Sequence, residues 1–303
     1  MKHANLAEIT SERIASHCVC CGSAVLRSSP AIMMPFISDR IFGWKPIRVE
    51  SQWGLRTIDS GMAYALCNSF LCTNCELLFL DIRFTGDEMK RLYYDYRGEE
   101  YMQLRNFYEP GYAIRNEELA IPVAYLHITD AFLVGFVPGS PRILDWGGHT
   151  GTNTPLKGIA KEIDIYDISQ KLTCNSEGGY GKKKLHSKTF DLITCCNVLE
   201  HVPHPFTVLT EIKELMSEMT VLFIEVPYET LRIQYSSDVA LTLKRHWHEH
   251  INFFSEKSLH QLIALSNLHL LAFRNINTNE SGNQTHVFQI ICKKVNPVTS
   301  TGS

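Results

Sequence analysis

The chain carries no excess of positive charge: 29 lysines and arginines stand against 32 aspartates and glutamates, a formal net charge of −3. A protein that grips a phosphate backbone shows a basic footprint, so no nucleic-acid partner is expected. The one basic run, Lys182, Lys183 and Lys184, reads as a solvated loop. Long apolar runs are also missing. None approaches the ~18 residues that a bilayer-crossing helix requires, so no membrane span is expected. Residues 1–12 lack the apolar core of a secretion signal, which makes the cytoplasm the expected location. Internal repeats are absent, and so is a complete Gly-x-Gly-x-x-Gly. What remains is an ordinary globular composition, 45% hydrophobic and 20% charged over 303 residues. That is enough for one large domain and a small one.

Cysteine is plentiful, with ten in the chain. Cys18, Cys20, Cys21, Cys67, Cys72 and Cys75 all precede residue 76, and Cys174, Cys195, Cys196 and Cys292 lie beyond it. Clustering of this kind in a reducing compartment favours metal binding over disulfides. Cys18 with Cys21 and Cys72 with Cys75 are two Cys-x-x-Cys knuckles, and two knuckles supply four thiolates for one tetrahedral zinc. The loop of about fifty residues between them exceeds that of a compact zinc ribbon; residues 48–56 could supply a strand within it. Cys20, Cys67 and His17 are candidate substitutes for a ligand. The alternative is buried free thiols or a redox pair.

Residues 1–80 are therefore read as a zinc-binding module. Residues 81–138 read as a helical connector and lid. Residues 86–95 have helical spacing, seven aromatic residues follow between Tyr93 and Tyr112, and residues 116–137 read as one long amphipathic helix stopping before Pro138 and Gly139. From Arg142 onward strands and helices alternate. Strands are expected at 142–144, 162–166, 190–196 and 220–226, helices at 206–216 and 255–266, and a closing antiparallel pair at 268–275 and 286–293. Alternation of this sort predicts an α/β fold, a doubly wound, mostly parallel sheet of Rossmann-like type over 139–295. The polar tail at 296–303 is expected to be disordered.

Chemistry concentrates at Asp145-Trp146-Gly147-Gly148-His149-Thr150-Gly151, directly after the first strand. Such a turn is either a plain bend or a place where backbone approaches a nucleotide-like ligand. An acid at its start is foreign to a phosphate cradle. Asp167 follows the second strand about twenty residues on, where a carboxylate can accept both hydroxyls of a ribose. NAD and S-adenosylmethionine both offer that diol; the incomplete glycine pattern favours the second. An NAD-dependent oxidoreductase ranks below it for the same reason.

Residues 143–151 resemble the first motif of Rossmann-like S-adenosylmethionine-dependent methyltransferases, with His149 where the middle glycine would stand. Asp167 and its neighbour Ile168 match that family's ribose-binding segment. Phe190-Asp191-Leu192-Ile193 followed by Asn197-Val198-Leu199-Glu200-His201-Val202 is similar to the motif whose end lies beside the methyl donor. The resemblance implies donor contacts from Asp145, Gly147, Gly148, Gly151, Asp167, Ile168, Asn197, Leu199 and His201. A four-cysteine module ahead of such a domain further resembles the sugar C-methyltransferases. In those a His-Glu-His segment supplies a base, which implies His250 first and His248 second. Trp247 replaces the tyrosine expected there, and the adenine-side acid is not evident between Cys174 and Lys188.

The expected activity is methyl transfer from S-adenosylmethionine to a small-molecule acceptor, a sugar or nucleotide-linked sugar being the implied class, with structural zinc. A binding or scaffold protein on a degenerate methyltransferase fold is the alternative. Glu200 is equally readable as a helix N-terminal anchor, and Cys195 and Cys196 as small buried hydrophobes. His246, His248 and His250 would share a face on a strand.

Overall fold

The computed structural model describes residues 4–50, 61–169, 185–280 and 283–295. Cys174, the lysine run and the tail lie outside the described residues. A short 3-10 turn at Glu8–Ser11 precedes β1 (Leu26–Met33), α1 (Pro35–Phe42), β2 (Ile47–Val49), β3 (Gly61–Ala63), β4 (Leu66–Cys72) and β5 (Leu78–Leu80). Helix α1 starts on Pro35 and stops at Gly43 with φ 67°, the usual asymmetry of proline at the start and left-handed glycine at the end.

Four helices follow: α2 (Gly86–Tyr93), α3 (Glu99–Tyr108), α4 (Tyr112–Glu118) and α5 (Leu126–Leu133). Thr85 and Glu88 close a capping box at the start of α2, satisfying two otherwise orphaned N–H groups. The long helix expected over 116–137 is instead α4, a break and α5. Pro122 explains the correction. It donates no N–H and pushes Ile121 out of helical backbone, a breaker that the apolar spacing had masked.

The remaining elements are β6 (Arg142–Trp146), β7 (Glu162–Tyr166), β8 (Leu192–Cys196), α6 (Pro205–Leu215), β9 (Val221–Tyr228), α7 (Thr230–Gln234), α8 (Ser237–Leu243), β10 (His246–Trp247), β11 (Asn252–Phe253), α9 (Glu256–Leu265), β12 (Leu268–Glu280) and β13 (Asn283–Lys294). The main sheet runs β12-β13-β9-β8-β6-β7. Strands β7, β6, β8 and β9 are parallel, and β13 and β12 pair antiparallel at one edge. The architecture is thus mixed α/β with a parallel core. Strands β6, β8 and β9 are buried on both faces, as parallel strands under flanking layers must be. Leu144, Ile193, Leu222 and Ile224 face one hydrophobic cluster; Ile143, Leu192, Val221 and Phe223 face another.

Strand β6 sends the chain to β7 on one side, while β8 lies on its other side. The order therefore reverses beside β6, and the crevice at the carboxyl ends of β6 and β8 is where α/β sheets receive ligands.

The second sheet, β10-β1-β4-β5-β11, joins the amino-terminal strands to two short strands from residues 246–253. Strand β10 runs parallel to β1, and β11 pairs with β5. Trp247, with no exposed surface, donates its indole N–H to Ser69 Oγ at 2.9 Å. Cys18, Cys21, Cys72 and Cys75 belong to the same hydrophobic cluster as Leu144 and Ile193. The cysteine-bearing region and the α/β sheet share one core.

Candidate active site

The turn after β6 is built on its backbone. Gly147 has φ 82° and donates its N–H to the Tyr166 carbonyl at 2.6 Å. A Cβ there would fall 2.4 Å from Val198 Cγ2, so glycine is required on conformation and on space. Gly151, φ 68°, closes the turn with an N–H bond to Gly148 at 2.7 Å. Asp145 lies beneath the turn: its buried carboxylate accepts hydrogen bonds from Thr154 and, at 2.8 Å, from Thr194. Burial raises its pKa and the two hydroxyls oppose that rise. The acid thus braces the turn from below.

His149 adopts φ 47°, the left-handed region, and donates its N–H to Asp167 Oδ2 at 3.0 Å. Asp167 Oδ1 accepts the Ser169 N–H at 2.8 Å. The turn and the acid after β7 are therefore tied directly to each other, with Ile168 beside them, half-exposed on the surface. The His149 ring meets Tyr96 edge-on, centroids 5.2 Å apart.

Asn197 leaves β8 with φ 53° and donates its N–H to the Glu225 carbonyl. Asparagine tolerates that backbone better than most residues. Leu199 is buried, and Glu200 has no exposed surface at all. Its carbonyl accepts the Ile251 and Asn252 N–H groups, while neither carboxylate oxygen has a hydrogen-bond partner. Burial lifts Glu200 to about 7. Its expected part as a helix anchor is not what the chain builds, because α6 begins only at Pro205.

His201 donates Nδ1–H to the Glu249 carbonyl at 3.1 Å. Burial first, and His250 second, bring its pKa down to about 3, so its ring is neutral. The His201 and His250 rings meet edge-on at 4.6 Å. His250 donates Nδ1–H to Glu229 Oε1 at 2.6 Å. Burial opposes its charge, but the bond to Glu229 prevails and the pKa rises.

The three alternating histidines do not share a face. His246 lies exposed on β10, and the strand stops at Trp247. His248 turns away from His250 and gives Nε2–H to Glu109 at 2.5 Å, while its Nδ1 accepts the Glu249 N–H at 2.8 Å. Both its ring nitrogens are occupied. Glu249 accepts from Tyr101 at 2.5 Å and from Arg105 at 2.7 Å. Among these causes the Arg105 charge leads in bringing Glu249 down to about 2, against burial.

Glu229 is a candidate site residue that sequence reasoning did not single out; Glu249 entered only as part of the His-Glu-His segment, and Tyr93 and Tyr96 only within the aromatic stretch. The tyrosine-rich stretch was the available signal. Ring contacts run from His149 through Tyr96, Tyr93 and His201 to His250. Tyr93, Tyr101 and Tyr112 all belong to the connector core, with Tyr96 packed against it.

The four cysteines of the two knuckles converge, all buried, with their sulfurs within 4.8 Å of one another. Cys18 and Cys75 sulfurs are 3.4 Å apart, Cys21 and Cys72 3.6 Å. Asn74 and the Cys75 N–H donate to Cys21 and Cys72 sulfurs, each at 3.5 Å. Cys20 is outside this set, burial pushes Cys67 up to about 12, and His17 is paired with Glu12 at 2.8 Å. An open cleft of about 580 Å³, lined in part by Tyr228, Arg232 and His260, lies elsewhere, next to Glu76.

A mixed sheet with a parallel core and a glycine turn at its switch point places the chain among the open α/β proteins, whose ligands enter at that point. The family follows from comparison: residues 116–272, just over half of the chain, match the model described as "Methyltransferase domain", and the chain belongs to that family. The chain is 40% identical over 83 residues to the ubiquinone biosynthesis O-methyltransferase of Actinobacillus pleuropneumoniae serotype 5b, a match covering 27% of this chain and 36% of that protein. It thus spans about a third of that relative's length. Among solved structures it is similar to a SAM-dependent methyltransferase of Methanosarcina mazei (15% identity, TM-score 0.40, 55% of this chain and 98% of that one). It is also similar to the 1,6-didemethyltoxoflavin-N1-methyltransferase of Burkholderia thailandensis (15%, TM-score 0.44, 65% and 90%), solved with 1,6-didemethyltoxoflavin and S-adenosylhomocysteine bound.

Proposed function

We propose that the chain transfers a methyl group from S-adenosylmethionine to a small molecule, with a histidine removing the acceptor's proton. The observation that supports this most is the direct tie between the glycine turn and Asp167, joined to the His250–Glu229 pair by the ring contacts of His149, Tyr96, Tyr93 and His201. A carboxylate has about four lone-pair sites. Asp167 uses two on backbone N–H groups and keeps the others for a ribose diol. The backbone of Gly147, Gly148 and Gly151, together with Ile168, Asn197, Leu199 and His201, would hold the rest of the donor.

The donor's sulfonium is already activated, so orientation and proton removal are what the residues must supply. His250 suits the second task. Glu229 holds the proton on Nδ1, leaving the Nε2 lone pair to accept one from the acceptor. His248 is the weaker candidate because both its nitrogens are engaged. As the acceptor's nucleophilic atom bonds to the methyl carbon, the carbon–sulfur electron pair returns to sulfur. A sugar or nucleotide-linked sugar remains the proposed acceptor class, on the resemblance of the His-Glu-His segment and the cysteine module; phenolic acceptors are the competing class, given the name of the curated relative.

The cysteine set fits a structural zinc. A tetrahedron with ~2.3 Å zinc–sulfur bonds has edges of about 3.8 Å, close to the separations here, and the N–H groups of Asn74 and Cys75 suit thiolates as donors.

Calorimetry with S-adenosylmethionine on the zinc-loaded protein tests the donor. Absence of binding would sink the proposal. Tight binding without turnover across sugar nucleotides and phenols would favour a scaffold, a reading that His149 in the glycine turn keeps in play.

A further inference from the structure

The surroundings of His250 hold more than a proton acceptor requires. A carboxylate oxygen of Glu200 and one ring nitrogen each from His201 and His250 lie within 4.8 Å of one another. Glu200 is wholly buried and accepts no hydrogen bond at either carboxylate oxygen; His201 Nε2 stands 3.7 Å from Oε1. A buried anion in that condition is costly unless something positive joins it. Both histidines, moreover, have Nδ1 committed. One donates to the Glu249 carbonyl and the other to the Glu229 carboxylate, so the lone pair of each ring is on Nε2. Metal-binding histidines are held in just this way, the far N–H given to a carbonyl or carboxylate that fixes tautomer and orientation. The His250 side chain keeps 40% of its surface exposed, which leaves the cluster open toward the crevice.

We infer that Glu200, His201 and His250 form a divalent-cation site, separate from the cysteine set, with open positions facing the acceptor. Two imidazoles and one carboxylate with free positions suit a first-row ion such as Mn²⁺ or Fe²⁺, which would displace any proton from His250 Nε2 on binding. The site stands on its own geometry; what it does rests on the methyltransferase reading. An acceptor hydroxyl bound to the cation loses its proton to water more readily. Its oxygen then bonds to the methyl carbon, and the carbon–sulfur pair goes to sulfur. The Nε2 lone pair of His250 serves a proton or the cation, never both, so loading replaces direct proton removal by the imidazole. An oxygen acceptor follows as the class.

The test is calorimetric titration of the full chain, its cysteine site zinc-filled, with Mn²⁺, accompanied by electron spin-echo spectroscopy of the bound ion. One additional Mn²⁺ per chain with imidazole nitrogen couplings is expected. Glu200→Gln and His250→Asn should each weaken binding tenfold or more. No Mn²⁺ uptake by the unaltered chain, bound ion without nitrogen couplings, or unchanged affinity in His250→Asn would overturn the inference. His250→Asn, at a half-exposed position, decides the matter if Glu200→Gln fails to fold. Donor titration in the same calorimeter keeps the two readings apart. Loss of donor binding with Mn²⁺ retained refutes the methyltransferase proposal alone, and the converse refutes the cation site alone.

Discussion

Asp167 carries its charge between two backbone N–H groups and an open crevice, and its replacement separates those duties. Asp167→Asn keeps the shape and weakens the charge-assisted bonds, each worth about 1.5–3 kcal/mol. S-adenosylmethionine affinity is expected to fall about 10–100-fold, and calorimetry reads it directly. Glu229→Gln frees the His250 tautomer without touching the donor. The expected outcome is a fall in kcat of about 10²-fold or more with donor affinity unchanged; equal kcat would remove the His250–Glu229 pair from catalysis. Lys244 offers a pH test. Burial brings it from its usual value down to about 8, against the pull of Glu229. A base whose folded pKa is depressed costs stability wherever it is charged, below about 8, and ceases to do so once pH passes its unfolded value near 10.5. Lys244→Met should therefore raise the melting temperature at pH 7. The gain should shrink between pH 8 and 10.5, followed by thermal denaturation across that range. At this scale Asp145, Gly147, Gly151 and Asp167 were legible, because each has a conformational or charge requirement that its type announces. Glu229 and Glu249 were not: a glutamate after a strand or between histidines has no local signature, and only folding gives each its partner.

Elements were legible where period and punctuation agreed. The helices at 86–95 and 255–266, the alternation from Arg142 onward and the closing antiparallel pair all follow from local rules. The long connector helix failed because Pro122 outweighed an apolar spacing. The segment at 246–253 failed differently. Read alone it left two cases, a strand with three histidines on one face or a loop without convergence; in the molecule two short strands form opposite edges of another sheet, with His246 on the first and His248 and His250 between them, released to different partners. Trp247 is the peg of that arrangement. Trp247→Ala is expected to cost about 3–5 kcal/mol. It should also raise KM or lower kcat, because His250 is three residues away; unfolding in urea together with kinetics would show whether the two losses travel together.

The cysteine module and the α/β sheet cannot be separated as whole units. Strand β5 follows the second knuckle directly and pairs with β11, which follows His250, and Ser255 donates to the Cys75 carbonyl at 2.9 Å. Replacing Cys72 and Cys75 together by serine should abolish the one zinc per chain expected by elemental analysis. The same change should lower the melting temperature and cut methyl transfer, because both cysteines are buried in the core that the module shares with the sheet. Retention of zinc in that variant would show that other ligands hold it. A truncation beginning at residue 81 is expected to lack activity, since it exposes the Trp247 face and strips β10 and β11 of their partners.

The sequence by itself determined the α/β class, the place of the glycine turn, the acid after the second strand and the two cysteine knuckles. Each rests on chemistry confined to a few neighbouring residues: a positive φ, a strand end, a fixed ligand spacing. Only the tertiary structure decided that His250 pairs with Glu229, that His201 bonds the Glu249 carbonyl, and that buried Glu200 lies beside His250. Those relations link residues 21, 48 and 50 positions apart. They are set by sheet register and by the packing of one sheet's edge strands against another, which no local pattern encodes.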